Sequence, residues 1–547
     1  MENKKENLDK IRPAMNNIYA INYKRGSVGN AFIRTYCMYI DKLGETMEIS
    51  FVKMSNNSFD NQVVSNEDIS IPDKEKQQQI IYYMECCFKL AALYTNITQN
   101  GISLKLEELC VSFWESQMEN IENTQPDYKN LVWYYRCWQQ KVKATNSTAY
   151  DCSVEHMYED AYKLGGDGLD FARNLGNELL EHVGLGEEEK RTLSTMLNID
   201  EETKFKDIKT GYTEIPYGLH EKMIKFYQSL QRICKKNKQN EASDDSFEQV
   251  LYDLMVTDFQ KLRGNYPWHC INKPGFMDSG SSSEIEAKKR KVCEYGARTY
   301  WMRRALAESI GNSNFTGMML TSYHNLCVYL SRCGEYEKAC FLEKEVLEET
   351  LQKIKKGQPN EKSQIFLNEK SKFPKTDLQR MLWQKEKLDN SKGKDFFSYS
   401  DDAIEMMQYL GDYYLKMKYY SLAQKWLSKV MLIRSVALGP GDGKTLDTII
   451  RFYIVLYANI EKEKKLFDSL EAYVKEKVLL NDKNKDYVKE KVLLNDGNTN
   501  YGQEGQVSNG LNDKYVTLKK IIEKRKKGIK NKNQQEVIEE MLLDLGL

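Results

Sequence analysis

Two stretches of this chain can be laid over one another without a gap. YHNLCVYLSRCGEYEKACFLEKEVLEE begins at Tyr323, and MQYLGDYYLKMKYYSLAQKWLSKVMLI begins at Met407. Leu326 then falls on Leu410, Cys327 on Gly411, Leu330 on Tyr414, Tyr336 on Tyr420 and Ala339 on Ala423. Each stretch is the pattern of a helical hairpin. A small residue after the leucine lets the first helix approach its neighbour, the alanine lets the second helix cross it tightly, and leucine and aromatic side chains fill the groove between them. One such hairpin cannot cover its own apolar faces, so hairpins must stack. The two alanines are 84 residues apart, which is twice 42. A step of 42 back from Ala339 reaches Ala297 in YGARTYWMRRAL, another expected second helix, and a step forward from Ala423 reaches Lys465, expected in a helix after FYIVLY.

Elsewhere the apolar residues recur at helical spacing almost throughout. IPDKEKQQQIIYYMECCFKLAALYTNI (71–97), SLKLEELCVSFWESQMENI (103–121), YKNLVWYYRCWQQKVKAT (128–145), GLHEKMIKFYQSLQRICKK (218–236) and SFEQVLYDLMVTDFQKL (246–262) all read as helices. Nine prolines in 547 residues leave such helices intact. Only EISFVKM (48–54) and NQVVS (61–65) have strand character, enough for a small hairpin. The expected fold is therefore all-α, stacked antiparallel helix pairs forming an α-solenoid with a helical N-terminal region. Residues 1–70 form an N-terminal segment, and 71–264 form a helical bundle or degenerate helical repeats. The repeat array spans 281–478, a duplicated, flexible segment spans 479–513, and a charged helix spans 514–547. The breaks KKNKQNEASDDS (235–246) and NYPWHCINKPGFMDSGSSS (265–283) read as exposed loops, the second dividing the chain into halves. Pro374 falls near the end of the helix expected before Met381, so residues 350–400 hold either a decayed repeat or an insertion.

The hairpin pattern resembles the tetratricopeptide repeat, with Leu326, Cys327, Leu330, Gly334, Tyr336 and Ala339 in one copy and Leu410, Gly411, Tyr414, Tyr420 and Ala423 in the next. A spacing of 42 is similar to the kinesin-light-chain variety of that repeat. The resemblance covers about 285–478. Two departures stand out: Glu343 occupies a position where the family has an aromatic, and neither copy ends in proline.

GPGDGKT (439–445) has the ending of a nucleotide-binding loop. That loop needs a glycine five residues before Gly443, where Leu438 stands, and a buried strand ahead of it, where SLAQKWLSKVMLIRSVAL has helical periodicity. Leu438-Gly439-Pro440 through Thr445-Leu446 instead resembles the joint between kinesin-light-chain-like repeats. Gly439 is placed to end a helix, Pro440 to prevent its continuation and Thr445 to cap the next.

Other signals of chemistry are sparse. None of the five histidines, His156, His182, His220, His269 and His324, has an i, i+4 partner for zinc, and no Cys-x-x-Cys occurs. The twelve cysteines, several within apolar helical patterns, are expected to be reduced and mostly buried. His269-Cys270 would be the starting point for a cysteine nucleophile, but a loop anchored by Trp268 is the plainer reading, and Gly165-Gly166-Asp167-Gly168 reads as a turn. KKIIEKRKKGIKNK (519–532) carries eight basic residues and one glutamate, without interleaved aromatics to stack bases, so it reads as a solvated helix end. Lysine plus arginine balance aspartate plus glutamate at 80 each, which gives no global attraction to nucleic acid. YVKEKVLLND occurs at 473–482 and again at 487–496, an offset close to four helical turns that keeps one apolar face. No apolar run is long enough to span a membrane and the first residues lack a signal-peptide core, so a cytoplasmic chain is expected.

These features point to a non-enzymatic scaffold or adaptor that captures a peptide or helix of a partner protein, with no cofactor. The resemblance implies that first helices line the inner wall. Its inward positions fall on His324, Asn325, Val328 and Arg332 in one copy, and on Gln408, Asp412 and Lys416 in the next. In the degenerate copy they fall on Arg451, Ile454 and Tyr457. Arg332, Lys416 and Arg451 would then form a cationic line suited to acidic peptides, or they are ordinary solvated charges. The family's lysine and asparagine clamp for a terminal carboxylate is absent, since His324, Val328, Gln408 and Asp412 occupy those positions. Two other readings are a peptide-responsive sensor whose array changes shape, and a hydrolase in the N-terminal half.

Overall fold

Helix is the only regular structure among the described residues of the computed structural model: 12–17, 19, 30–47, 71–96, 100–199, 218–239, 246–311, 313–357, 401–439, 442–459, 467, 468, 470 and 474. The all-α expectation is met. Residues 48–54, 61–65, 240–245, 358–400, Lys465, the duplicated segment apart from Val474, and the basic run at 519–532 lie outside the described residues. The chain forms two compact units that divide after Ser322.

The first unit begins with α1 (Asn30–Met47), α2 (Lys74–Asn96), α3 (Asn100–Thr124), α4 (Val132–Val154) and α5 (Tyr158–Leu179), each packed on the one before. Asp73 starts α2 by accepting the Lys76 amide at 2.8 Å. After α6 (Glu187–Leu197) and α7 (Leu219–Gln239), one long helical run comprises α8 (Phe247–Asp253), a π-helical segment (Leu254–Asp258) and α9 (Phe259–Asn272), and returns against α4 and α5. The last full helix of this unit, α10 (Ser282–Ile310), packs on α7 and α9. It opens with a capping box between Ser281 and Glu284 and closes at Gly311, whose φ is +67°. A large buried cluster runs through the unit from Met15 to Leu306, with a smaller one at Leu104, Cys152 and Ala161.

Three sequence expectations fail in this unit, the first being that residues 235–239, expected to open an exposed loop, belong to α7. The segment 265–283 is not a loop over its first third, because α9 continues through Pro267 to Asn272. Pro267, His269 and Cys270 are buried there, and that packing outweighs the backbone hydrogen bond proline cannot donate. The boundary between compact units accordingly falls beyond it, within α11 (Ser313–Arg332). Gly165-Gly166-Asp167-Gly168 is not a turn but lies inside α5. A Cβ on Gly165 would stand 2.8 Å from His269 Cδ2, and one on Gly168 would stand 2.7 Å from Leu262 Cδ2. The glycines let α9 side chains sit directly on the α5 backbone. Ala297, expected in a second helix, is buried within the 29-residue α10.

The second unit contains the end of α11, then α12 (Tyr336–Gly357), α13 (Asp401–Lys416), α14 (Tyr420–Ala437) and α15 (Gly443–Ala458). α12 packs on α13, α13 on α14 and α14 on α15, α13 also meets α15, and side-chain hydrogen bonds from Tyr323 and His324 join α11 to α12. The two aligned stretches fold alike. After α11, the Glu335 amide donates to the Leu330 carbonyl and the Gly334 amide to the Ser331 carbonyl, both at 2.9 Å. After α13, the Tyr419 amide donates to Tyr414 at 2.8 Å and the Lys418 amide to Leu415 at 2.9 Å. Both turns put their pivot residue in the left-handed region, Gly334 at φ +86° and Lys418 at φ +62°. This is one Schellman-type stop used twice at the same offset.

The close approach expected behind each leucine is also present in both copies. The Cys327 thiol lies against Glu343, and a Cβ on Gly411 would stand 2.5 Å from Leu427 Cγ. Gly411→Ala is therefore expected to destabilise the second unit by about 1 kcal/mol, the overpacking exceeding the gain in helix propensity. In urea unfolding, Leu427→Ala should cost less in the Gly411→Ala background than alone, because the new methyl group partly fills the vacated space.

Candidate functional site

The expected inner-wall residues all lie on first helices of the second unit, α11, α13 and α15, but they divide into two groups. Arg332 is exposed, and Asn325, Lys416 and Tyr457 are partly exposed. Val328 and Ile454 are buried and face neighbouring helices, so they present nothing to a partner.

His324, Gln408, Asp412 and Arg451 join a polar line inside the packing. His324 Nδ1 lies 2.7 Å from Oε1 of Glu343 on α12, and its ring meets Tyr409 edge-on at 4.9 Å. Glu343, at the family's aromatic position, is wholly buried. Arg451 donates from Nε to Asp412 Oδ2 at 2.9 Å, and both residues are buried. Gln408 Oε1 accepts from Thr448 at 3.1 Å and from the guanidinium of Arg434, which also donates to Thr448 at 2.8 Å.

Burial pushes the Asp412 carboxyl up from its ordinary value, opposed by the Arg451 guanidinium beside it. The phenol of Tyr409, between the His324–Glu343 and Asp412–Arg451 pairs, is pushed up to about 12 by burial, with Glu405 and Asp412 adding to it. The cationic line expected of Arg332, Lys416 and Arg451 thus loses its third member. Arg451 is compensated within the fold, Arg332 is exposed and Lys416 is partly exposed. The sequence held one signal for this: Asp412 and Arg451 are opposite charges separated by 39 residues, close to one repeat. Arg434, Thr448 and Tyr409 carried no comparable signal.

The glycine-rich stretch is a joint between helices. It follows helix α14 rather than a strand, and Gly439 has a φ of +90°. The cap is Asp442, not Thr445: its Oδ1 accepts from the Lys444 amide at 2.9 Å and the Thr445 amide at 3.4 Å. Two amides that a phosphate would need are occupied by the chain's own carboxylate. Lys444 Nζ lies 3.7 Å from Glu405, and Thr445 is buried as the third residue of the helix.

His269 and Cys270 do not form a nucleophile site. Burial pushes the Cys270 thiol up to about 12, the opposite of activation, and both His269 ring nitrogens lack a hydrogen bond among the described residues. All twelve cysteines are free thiols, ten of them buried. Among the described residues there is no cluster of three or more metal-ligating side chains, and no helix is long and apolar enough to cross a membrane.

No family model matches the chain, and no curated protein matches it. Among solved structures it is similar to a circular tandem repeat protein with novel repeat topology and enhanced subunit contact surfaces. That match has 11% identity over 90% of this chain and 92% of that one, at a TM-score of 0.19. A likeness at that score carries no argument, and the fold rests on the helices and turns described above.

Proposed function

We propose that the second unit is a protein-interaction module, a non-enzymatic cytoplasmic scaffold or adaptor of the kinesin-light-chain-like tetratricopeptide kind. In this reading a peptide or helix of a partner protein lies along α11, α13 and α15. The observation that carries the reading is the duplicated hairpin. The same Schellman stop closes α11 and α13, and the same close approach follows Leu326 and Leu410. A stack of hairpins presents its first helices as a continuous wall, a ready surface for an extended or helical segment.

On that wall the recognition positions are Asn325, Arg332, Lys416 and Tyr457, whereas Asp412 and Arg451 hold neighbouring helices in register. Two cations on successive first helices suit a partner segment carrying acidic residues. The test is capture of partners by the full chain, followed by titration of the captured partner against variants. Arg332→Glu with Lys416→Glu should weaken binding about tenfold or more, with helicity and unfolding midpoint unchanged. Equal affinity for the parent and the double variant would remove these residues from the binding surface.

A further inference from the structure

The first unit contains a buried carboxyl pair that the interaction reading leaves unused. Glu107 on α3 and Asp151 on α4 are buried, at 5% and 3% exposure, with their carboxyl groups in hydrogen-bond contact. Among the described residues the donors to the pair are hydroxyls, and both reach the same oxygen. Thr95 on α2 donates to Asp151 Oδ2 at 3.0 Å, and Ser103 on α3 makes a short hydrogen bond to that atom. Glu107 Oε2 has no hydrogen-bond partner among the described residues when both groups are counted as ionised. Two touching carboxylates cannot satisfy one another, because each only accepts; a proton on one turns the contact into an O–H···O hydrogen bond.

The titratable groups facing the pair do not favour a second charge. Asp151 is accompanied by Cys152 on α4 and by Glu155 just past its end, and α3 contributes Cys110 beside Glu107 and Glu108 near Cys152. Asp160 on α5 acts on the adjacent Cys152, while α2 contributes the uncharged Thr95 hydroxyl. These neighbours are acids, thiols and a hydroxyl, and none of them supplies a compensating cation.

We propose that Glu107 holds a proton in the folded chain and donates it to Asp151, making the junction of α2, α3 and α4 a latch that opens as pH rises. Loss of the proton places two negative charges in contact inside the unit, and the helices must part to admit water. Burial, followed by the charge of Asp151, pushes Glu107 up to about 9, and burial pushes Asp151 up as well. The folded-state value of Glu107 lies above the ordinary carboxyl value. The stabilisation is therefore complete at acid pH and is lost as pH rises toward and through 9.

Two measurements on the full chain test the latch. Infrared difference spectra at pH 8 should show the carbonyl band of a protonated carboxylic acid, absent from Glu107→Gln. At pH 8 Asp258, which is pushed up only to about 6, is silent, and the buried acids of the second unit are common to the parent and Glu107→Gln, so they cancel in the comparison. Hydrogen-exchange protection of α3 and α4 amides, corrected for intrinsic rates, should fall about tenfold per pH unit on the approach to pH 9, the dependence of a single proton. Glu107→Gln retains an N–H donor toward Asp151 without a titrating group and should remove that fall. Asp151→Asn serves as the second variant. A parent spectrum without the acid band, or parent protection that stays flat to pH 9, would overturn the latch, as would a parallel fall in Glu107→Gln.

Discussion

Asp412→Leu is expected to lower the stability of the second unit by about 3 kcal/mol, the lower end of the range for breaking a buried ion pair. The cause is the stranded guanidinium. Arg451 stays charged at any accessible pH, and in the parent its Nε donates to Asp412 at 2.9 Å while the residue is only 5% exposed. Removing the carboxylate leaves a cation in the packing between α13 and α15. The loss falls toward the low end because Arg451 Nη1 also donates to the Asp447 carbonyl at 3.3 Å, and the Asp447 carboxylate acts favourably on it. Adding Arg451→Met to Asp412→Leu should recover most of the loss, since two apolar side chains of similar size replace two charges that no longer need solvation. Denaturant unfolding followed by exchange protection of α13 and α15 amides gives both numbers. A single-variant loss below about 1 kcal/mol is the signature of a solvated pair. That result would return Asp412 and Arg451 to the face offered to partners.

The contrast between those two residues and Arg332 shows what the sequence could disclose. Small residues, turn formers and large apolar residues act over a few positions within one hairpin. Leu326, Cys327, Leu330, Tyr336 and Ala339 could therefore be matched with Leu410, Gly411, Tyr414, Tyr420 and Ala423 from order alone, whereas the equivalence of Gly334 and Lys418 as turn pivots emerged only in the structure. The structure reproduces the match down to the turn hydrogen bonds. The inward positions on the first helices were assigned by family likeness instead. Whether a charge at such a position is free for a partner was not legible. That depends on a residue 39 positions away for Arg451, and on a second-helix glutamate for His324. The glycines of α5 misled for a related reason. A run of glycines commonly breaks a helix, but here the ring of His269 and the side chain of Leu262 occupy the space that Cβ atoms would fill. The packing that keeps the segment helical comes from α9, about a hundred residues away in sequence. Thr445 was named as the cap because the joint was read by family likeness, whereas the cap is set by the side chain that reaches the first free amides, the Asp442 carboxylate.

Acid should weaken the first unit through His269, and His269→Phe should remove much of that weakness. The imidazole is 1% exposed, neither nitrogen has a hydrogen bond among the described residues, and burial alone pushes it down from 6.5 to about 4. An unfolded chain binds a proton at this residue below about pH 6.5, while the folded chain resists it until about pH 4. Stability from this group is therefore complete above pH 6.5 and is lost as pH falls through that window, by up to about 3 kcal/mol. Asp258 acts in the opposite sense. Burial holds its carboxyl up at about 6 against an ordinary 3.8, so its contribution declines as pH rises across part of the same range. A stability curve of the parent alone would mix the two. The difference between parent and His269→Phe isolates the histidine, because Asp258 is present in both. That difference should shift toward the variant by about 3 kcal/mol between pH 7 and pH 4, measured from denaturant midpoints at fixed ionic strength. A pH-independent difference would mean that the imidazole already finds a proton acceptor or water in the folded chain. In that case the close seat of its ring on Gly165 would be a matter of shape alone, with no electrostatic consequence for the α5–α9 contact.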